Sequence, residues 1–63
     1  MNVFKSMRER CGMTQEALAD KLDIERTTVS KWEIGAALPR ADKLIQLSKI
    51  FNCSVDELLT KTE

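Results

Sequence analysis

The sequence predicts an all-α fold, a compact bundle of about five short helices. Five segments carry apolar residues at the spacing that places them on one side of a helix. Residues that commonly end helices separate these segments, namely Gly12, Gly35, Pro39 and Asn52. The chain has 63 residues, 43% of them hydrophobic, which is enough for one small core. A domain of this size buries only about 60% of its unfolded surface. We therefore expect residues 1–63 to form a single domain.

The first predicted helix spans residues 2–11. Its apolar stripe comprises Val3, Phe4, Met7 and Cys11. Gly12 suits the left-handed conformation that often follows the end of a helix. The helix is therefore expected to pack one face on the core and to stop before Met13.

The second predicted helix spans Gln15–Leu22 and begins after a good N-cap. The hydroxyl of Thr14 can accept a hydrogen bond from an amide of the first turn. The inward-facing residues are Leu18, Ala19 and Leu22. Asp23 belongs to the few residue types besides glycine that tolerate a left-handed conformation. We therefore expect a turn of about three or four residues there, the length that a helix-turn-helix uses.

The third predicted helix, residues 26–34, combines an apolar stripe with a polar outer face. Val29 and Trp32 point inward, so Trp32 is expected in the core rather than as a platform for stacked bases. The outer face carries Arg26, Thr27, Ser30 and Lys31. Arg and Lys can donate to guanine acceptors, and Thr or Ser can bond to any base or phosphate. This face therefore suits the major groove of DNA.

Two further helices are predicted after a loop at residues 36–39. Pro39 favours an extended residue before it, so Leu38 is expected to tuck into the core. The fourth helix covers residues 40–51 and ends at Asn52, which suits a left-handed position. Its inner face is predicted to comprise Ala41, Leu44, Ile45, Leu47, Ser48 and Phe51.

The fifth predicted helix, Val55–Thr60, begins with a capping box. Ser54 and Glu57 have the spacing of that motif, in which each side chain bonds to the backbone amide of the other residue. Cys53 is expected to point inward just before it. Residues 61–63 are expected to fray.

The charge balance is neutral, with ten basic and ten acidic residues. A strong non-specific nucleic-acid binder usually carries a basic excess, so the composition counts against that class. A specific binder is not excluded, because the distribution of charges matters more than their sum. The sequence has no apolar run long enough to cross a membrane and no apolar core of a signal peptide. We therefore expect a cytoplasmic protein without a membrane partner.

The sequence offers no pattern typical of catalysis or metal binding. Histidine is absent, and Cys11 and Cys53 do not form a CxxC pair. Both cysteines occupy apolar positions of the helix pattern, so buried free thiols are expected. A glycine-rich phosphate loop and a nucleophile elbow are also absent. We therefore predict that the chain is not an enzyme, and that it binds no metal, cofactor or small-molecule ligand.

Together these features resemble the Cro and phage-repressor type of helix-turn-helix protein, also called the xenobiotic-response-element family. The resemblance covers residues 3–59 and rests on many anchors at fixed spacings. They are the runs 13–16, 18–19, 29–33 and 54–58 and the single positions Arg8, Ile24, Gly35, Pro39, Leu44 and Leu47. The resemblance implies a lambda-repressor-like domain in which helices two and three form the helix-turn-helix.

The resemblance also implies roles for individual side chains. The third helix would enter the major groove, and the second would cross the DNA backbone. Base reading is expected from Arg26, Thr27 and Lys31. Contacts with the DNA backbone are expected from Gln15, Ser30, Arg40 and Lys43. Arg8 and Glu33 are expected to form a structural ion pair that links the first helix to the end of the third.

Several residues depart from the family pattern. Asp23 replaces a usual glycine, and Glu25 replaces a usual small cap. The Glu25 carboxylate suits the helix dipole but repels nearby phosphate, unless it accepts from a cytosine amino group. Less polar residues than usual occur at Ile34, Ala36 and Ala37. Fewer phosphate contacts predict weaker DNA binding with a shallower salt dependence.

The sequence as a whole predicts a transcriptional regulator, specifically a repressor, that binds double-stranded DNA sequence-specifically. One short helix reads only a few base pairs, so we expect a homodimer on two half-sites about one helical turn apart. The fourth and fifth helices hold more apolar residues than one core absorbs. The candidate dimer surface comprises Ile45, Ile50, Val55 and Leu59.

A protein-interaction module is the alternative function. Its docking patch would consist of Ile34, Ala36 and Ala37. The acidic residues Asp23 and Glu25 would then discourage DNA binding. A related variant is an antitoxin component that represses its own operon and binds a toxin. Charge reversal at Arg26 and Lys31 separates these functions, because it abolishes DNA binding and spares a protein partner.

Overall fold

In a computed structural model the chain forms five helices and no strand over the residues that the structure describes, 2–60, with only the backbone of residue 60. The helices are α1 Val3–Arg10, α2 Gln15–Leu22, α3 Arg26–Glu33, α4 Ala41–Phe51 and α5 Val55–Thr60. The predicted all-α class is therefore confirmed. None of these helices has the length and apolar character needed to cross a membrane. The expected fraying of residues 61–63 lies outside the described residues.

Side chains cap the first turns of three helices. Asn2 precedes α1 rather than belonging to it, and its side chain accepts from the amide of Phe4 at 2.8 Å. Thr14 caps α2 as predicted, with its hydroxyl 3.0 Å from the amide of Ala17. The capping box before α5 is also present: the Glu57 amide donates to the Ser54 hydroxyl at 3.1 Å, and the Ser54 amide donates to the Glu57 carboxylate at 3.2 Å. Local sequence therefore sets these helix starts.

Left-handed residues end α2 and α4, as the sequence predicts. Asp23 has φ 57° and ψ 47°, and Asn52 has φ 56° and ψ 49°. Gly35, which follows the last residue of α3 by two positions, is also left-handed, with φ 80°. Such residues reverse the chain sharply and let amides beyond the helix bond to its last carbonyls. Helices α2, α3 and α4 therefore end within two residues of such a reversal.

One core joins the five helices. Its buried members are Val3, Phe4, Met7, Leu18, Ala19, Leu22, Val29, Trp32, Leu44, Leu47, Phe51 and Leu58. The rings of Phe4 and Trp32 lie 6.3 Å apart at a tilt of 49°, a favourable aromatic geometry. Helix α3 packs on both α1 and α2, and α5 packs on α4. Trp32 is therefore a core residue, as predicted.

The predicted burial of Cys11 is wrong, because that residue is exposed. Cys53 packs against the core, as its expected inward direction requires, but it is only half-buried. Cys11 is the C-cap of α1, one residue beyond its end at Arg10, and the buried residues of the helix stop at Arg8. Both residues are free thiols, as expected.

Two expectations about the loop and α4 are also wrong. Leu38 is 67% exposed, whereas the next residue, Pro39, is buried. Because successive side chains of an extended segment point to opposite sides, burial of Pro39 turns Leu38 outward. In α4 the buried positions are Leu44, Leu47 and Phe51. That stripe is narrower than predicted, so Ala41 and Ile45 remain exposed and Ser48 is half-buried.

Candidate nucleic-acid interface

Helices α2 and α3 meet at a tight left-handed turn. The amide of Ile24 donates to the carbonyl of Ala19 at 3.0 Å, and the amide of Asp23 donates to that of Asp20 at 3.2 Å. Ala19 is buried, and its small methyl side chain allows a neighbouring element to approach closely. Ile24 packs partly against the core. Backbone bonds and packing therefore fix the orientation of α3 relative to α2.

The outer side of α3 is polar and accessible. Arg26, Thr27 and Lys31, the predicted base readers, are exposed, and Ser30 is half-buried beside them. Residues one turn apart stack along a helix, so Arg26 lies above Ser30 and Thr27 above Lys31. The four side chains thus share one continuous surface, here called the reading face.

A buried ion pair holds the far end of α3. Arg8 donates from Nε to Oε2 of Glu33 at 2.6 Å and from Nη2 to Oε1 at 3.3 Å. Its Nη1 donates to the carbonyl of Met13 at 2.7 Å. Both charged residues are buried. The hydrogen bond that Arg8 donates to Glu33 raises the pKa of Arg8 above its ordinary value, against an opposing effect of burial. Arg8 therefore stays charged and ties α1 and the α1–α2 connection to α3.

Gln15 connects this ion pair to the reading face. Its Nε2 donates to Oε1 of Glu33 at 2.9 Å, and its Oε1 accepts from Nη1 of Arg26 at 3.2 Å. The amide orientation is chemically consistent, since the NH₂ group faces a carboxylate and the carbonyl faces a guanidinium. A chain of hydrogen bonds therefore runs from Arg8 in the interior to Arg26 at the surface.

Asn2 adds a second tie between α1 and α3. While its Oδ1 caps α1, its Nδ2 donates to the carbonyl of Trp32 at 2.9 Å. This carbonyl belongs to the last turn of α3, where carbonyl groups lack partners within the helix. The Asn2 side chain therefore accepts from an amide at the start of α1 and donates to a carbonyl at the end of α3.

Two residues near the start of α4, Arg40 and Lys43, are expected to contact the DNA backbone, and they lie in different surroundings. The Nζ of Lys43 donates to the carbonyl of Leu22 at 3.0 Å, which satisfies a carbonyl at the end of α2. Arg40 is the exposed N-cap of α4, and its side chain makes no capping bond. Lys43 therefore has a structural role that the sequence did not indicate, whereas Arg40 extends into solvent.

An open groove of about 440 Å³ lies beside the reading face. Ile24, Trp32, Ala37 and Leu38 supply apolar lining, together with Thr28. Its cationic lining residues are Lys31, Arg40 and Lys43. The structure therefore brings one predicted base reader and two predicted backbone contacts to the same groove.

The candidate dimer residues lie on α4 and α5 and are unevenly exposed. Ile45 and Leu59 are each 50% exposed. Ile50 and Val55 are half-buried and pack against the core. Some of this apolar surface therefore belongs to the core of one chain, and the rest remains accessible.

Among residues 2–60 there is no cluster of three or more side chains able to hold a metal ion. The environment of Cys53 lowers the reactivity of its thiol. Burial raises its pKa, and the nearby Glu57 carboxylate adds to the rise. A raised pKa lowers the fraction of nucleophilic thiolate at neutral pH.

Three side chains, Asn2, Gln15 and Lys43, make long-range hydrogen bonds that the sequence did not indicate. The N-cap signal of Asn2 was present, since Asn directly precedes an apolar periodic segment. Its bond to Trp32 spans 30 residues and leaves no local pattern. The same holds for the bridging bonds of Gln15 and for the bond from Lys43 to Leu22.

Sequence comparison places this geometry in a known family. The helix-turn-helix family matches residues 4–58. The HTH-type transcriptional activator BcrR of Enterococcus faecalis is 41% identical over 60 residues, which cover 95% of this chain and 29% of BcrR. The HTH-type transcriptional regulator ImmR of Bacillus subtilis is 39% identical over 60 residues, covering 95% of this chain and 47% of ImmR. The chain thus spans less than half the length of either relative.

Structural comparison gives the same family. The DNA-binding domain of the P22 C2 repressor, residues 1–76, matches with a TM-score of 0.81 and 30% sequence identity. The match covers 89% of this chain and 74% of that domain. All three proteins are named for the regulation of transcription, and none is an enzyme. The chain belongs to the helix-turn-helix family of the Cro and phage-repressor type.

Proposed function

We propose that residues 1–63 act as one DNA-binding domain of a transcriptional regulator, which binds double-stranded DNA sequence-specifically in the cytoplasm. The observation that carries this proposal is the reading face of α3. Its exposed donors, Arg26, Thr27 and Lys31, sit on a helix that the buried Arg8–Glu33 pair holds in place. A rigid helix with exposed donors is what direct reading of base edges requires.

In this proposal Arg26 is the principal base reader. The N-terminal residues of a recognition helix contact base edges, and Arg26 is the first residue of α3. Its guanidinium can donate two bonds to guanine O6 and N7, which is worth about 1–3 kcal/mol of discrimination. The bond from Arg26 to Gln15 holds the side chain near α2 before DNA arrives. Less side-chain freedom is then lost on binding.

The proposed phosphate contacts are compatible with the bonds that the side chains already make. An amide NH₂ has two N–H donors, so Gln15 can hold Glu33 and still donate to a phosphate. An ammonium has three donors, so Lys43 can keep its bond to Leu22 and offer two more. Arg40 and Ser30 complete the proposed backbone contacts. These four residues position the domain but carry no base preference themselves.

The proposal includes a homodimer, because one copy of the chain makes few favourable contacts with DNA. The chain has no net charge, so one copy gains little from the phosphate field. Two copies on half-sites about 34 Å apart double the number of base contacts. The exposed portions of Ile45 and Leu59 are the proposed contact surface. Sedimentation at high protein concentration tests this step, and purely monomeric behaviour there would contradict it.

Repression is the proposed regulatory outcome, because occupancy of DNA alone is sufficient to block a promoter. The relatives include regulators of both kinds: BcrR is named an activator, and P22 C2 is named a repressor. A reporter gene with the selected site placed over its promoter measures the direction. We expect lower expression when the chain is present; higher expression would contradict repression and leave DNA binding intact.

The deciding experiment is selection from a random pool of duplex DNA at low salt, followed by sequencing. We expect a two-fold symmetric motif with half-sites about 10 base pairs apart. Arg26→Ala should lose a guanine preference in each half-site and bind the motif about 5- to 150-fold more weakly. Lys5→Ala removes an exposed charge from α1, outside the reading face, and should keep the motif. A folded domain that enriches no sequence would refute the proposal.

Exposed apolar residues support a second candidate, a protein-interaction module. Ile34 is 75% exposed and is followed by exposed Ala36 and Ala37. Replacing Arg26 and Lys31 by Glu reverses the charge of the reading face. Under the first proposal this double variant loses DNA binding. A protein captured equally well by the double variant and by the original chain, with no DNA binding by either, would favour the second.

A further inference from the structure

Glu25 is an acidic residue that directly precedes α3. Under the proposed function, this end of α3 enters the major groove of DNA. Glu25 is exposed, it has extended backbone angles (φ −80°, ψ 149°), and it directly precedes Arg26. It occupies the N-cap position, yet its side chain makes no capping bond. Asn2 and Thr14, at the same position of α1 and α2, do cap their helices. The Glu25 carboxylate therefore does not cap the helix.

The surroundings of Glu25 leave its carboxylate able to accept hydrogen bonds from a ligand. The hydroxyl of Thr27 approaches Oε1 at 3.5 Å, which is long for an O–H···O bond. An ionised carboxylate has two oxygens with about four acceptor positions and no donor. Glu25 therefore places a pure acceptor beside the predominantly donating groups of the reading face.

The major groove contains few groups that such an acceptor can bind. Guanine presents the acceptors N7 and O6, and thymine presents the acceptor O4 and a methyl group. Only cytosine N4 and adenine N6 present amino donors. Adenine also places the acceptor N7 beside its amino group, which repels a carboxylate, whereas cytosine presents its donor alone. Cytosine is therefore the base edge that suits Glu25 best.

We infer that Glu25 is a specificity-determining residue that selects a cytosine amino group in each half-site. This inference rests on the proposed DNA binding and adds a base preference that the donors of α3 do not supply. At a matching site the carboxylate gains a charge-assisted hydrogen bond. At guanine or thymine it faces base acceptors, and at adenine the acceptor N7 opposes its bond to N6. Glu25 therefore acts mainly by weakening the binding of wrong sequences.

The test compares the original chain with Glu25→Gln in parallel selections from the same random duplex pool. We expect the original chain to require cytosine at one position of each half-site. A glutamine can bond to adenine N6 and N7 together, so Glu25→Gln should change that preference from cytosine to adenine. The guanine preference owed to Arg26 should remain. Affinity for the original motif should fall about 5- to 150-fold, whereas affinity for a shuffled duplex should rise.

Two control variants separate base reading from charge and from folding. Glu16→Gln removes the same charge from an exposed residue in the first turn of α2. It should raise binding of the shuffled duplex without changing the motif. Glu25→Ser supplies a good N-cap, so it should melt at a higher temperature and still lose the cytosine preference. A Glu25→Gln motif that retains the cytosine overturns this inference alone. No enrichment by the folded original chain overturns the proposed function, and this inference with it.

Discussion

Helix α3 and the loop that follows it, residues 34–40, are held by the fold in opposite ways. Helix α3 is held by its buried apolar stripe of Val29 and Trp32 and by polar groups at its end. There Glu33 pairs with buried Arg8, and the Trp32 carbonyl accepts from Asn2. The loop carries large apolar side chains that the core does not take up, with Ile34 75% and Leu38 67% exposed. At the end of α3 the charged Glu33 is buried by its bonds, whereas the large apolar residues Ile34 and Leu38 that come after it are exposed.

The difference has a physical reason. Hydrophobic contact is not directional, so a small core can be filled by many arrangements of apolar residues. Hydrogen bonds need particular distances and angles. The Arg8–Glu33 pair is weak evidence for net stability, because burying two charges costs desolvation energy. Its contribution is therefore geometric: it defines where the end of α3 lies.

The largest expected effect comes from breaking the ion pair. Glu33→Ala leaves the buried Arg8 charge without its partner and removes an acceptor from Gln15. A loss of about 3–5 kcal/mol in the free energy of unfolding is expected. Urea unfolding followed by circular dichroism measures it, and the DNA affinity should fall in parallel because α3 loosens.

Glu33→Gln separates the negative charge of this side chain from its role as a hydrogen-bond acceptor. The amide keeps an acceptor for Arg8 but removes the negative charge, so its loss of stability should be smaller than that of Glu33→Ala. An unchanged melting temperature and unchanged DNA affinity in Glu33→Ala would show that the pair does not position α3.

A smaller effect is expected from Asn2, which has two separable bonds. Asn2→Ala removes the cap of α1 and the donor to Trp32, for a loss of about 1–2 kcal/mol. Asn2→Ser keeps a neutral capping acceptor for the Phe4 amide, and its short side chain no longer reaches the Trp32 carbonyl. Thermal unfolding should therefore rank Ser between Asn and Ala. Equal stability of the Ser and Asn forms would mean that the bond to Trp32 contributes nothing.

The smallest effect is expected in the loop. Leu38→Ser should change the free energy of unfolding by no more than about 0.5 kcal/mol, since the side chain is mainly exposed. Leu47→Ala, at a fully buried leucine of α4, is the matched comparison and should cost about 2–5 kcal/mol. The same urea titration measures both variants. A large loss for Leu38→Ser would remove the contrast between the loop and the core.

Features encoded over a few residues were predictable from the sequence. Thr14, Asp23 and the Ser54–Glu57 box act where the sequence places them, because caps and turns depend on neighbouring backbone groups. The apolar stripe of α3 likewise places Trp32 in the core. These local signals were sufficient for the number, order and approximate ends of the helices.

Features that depend on the meeting of distant segments were not predictable in this way. The apolar spacing of α1 extends to Cys11, but the helix ends one residue earlier and the thiol faces solvent. Pro39 rather than Leu38 is the buried residue of the loop. The Arg8–Glu33 pairing was expected only from the family resemblance. Gln15 was expected to bond to DNA, and its bridge between Glu33 and Arg26 required three-dimensional neighbours.

The bond from Lys43 to Leu22 has a consequence for operator architecture. It fastens α4 to the last turn of α2, so the proposed dimer surface and the recognition helix belong to one stiff body. Two such bodies joined through α4 and α5 would hold their recognition helices at a fixed distance and at a fixed rotation about the DNA axis. One extra base pair between half-sites turns the second half-site by about 35° around the duplex and shifts it by about 3.4 Å. Such a dimer would tolerate a changed base within the operator far better than a changed spacing between the half-sites.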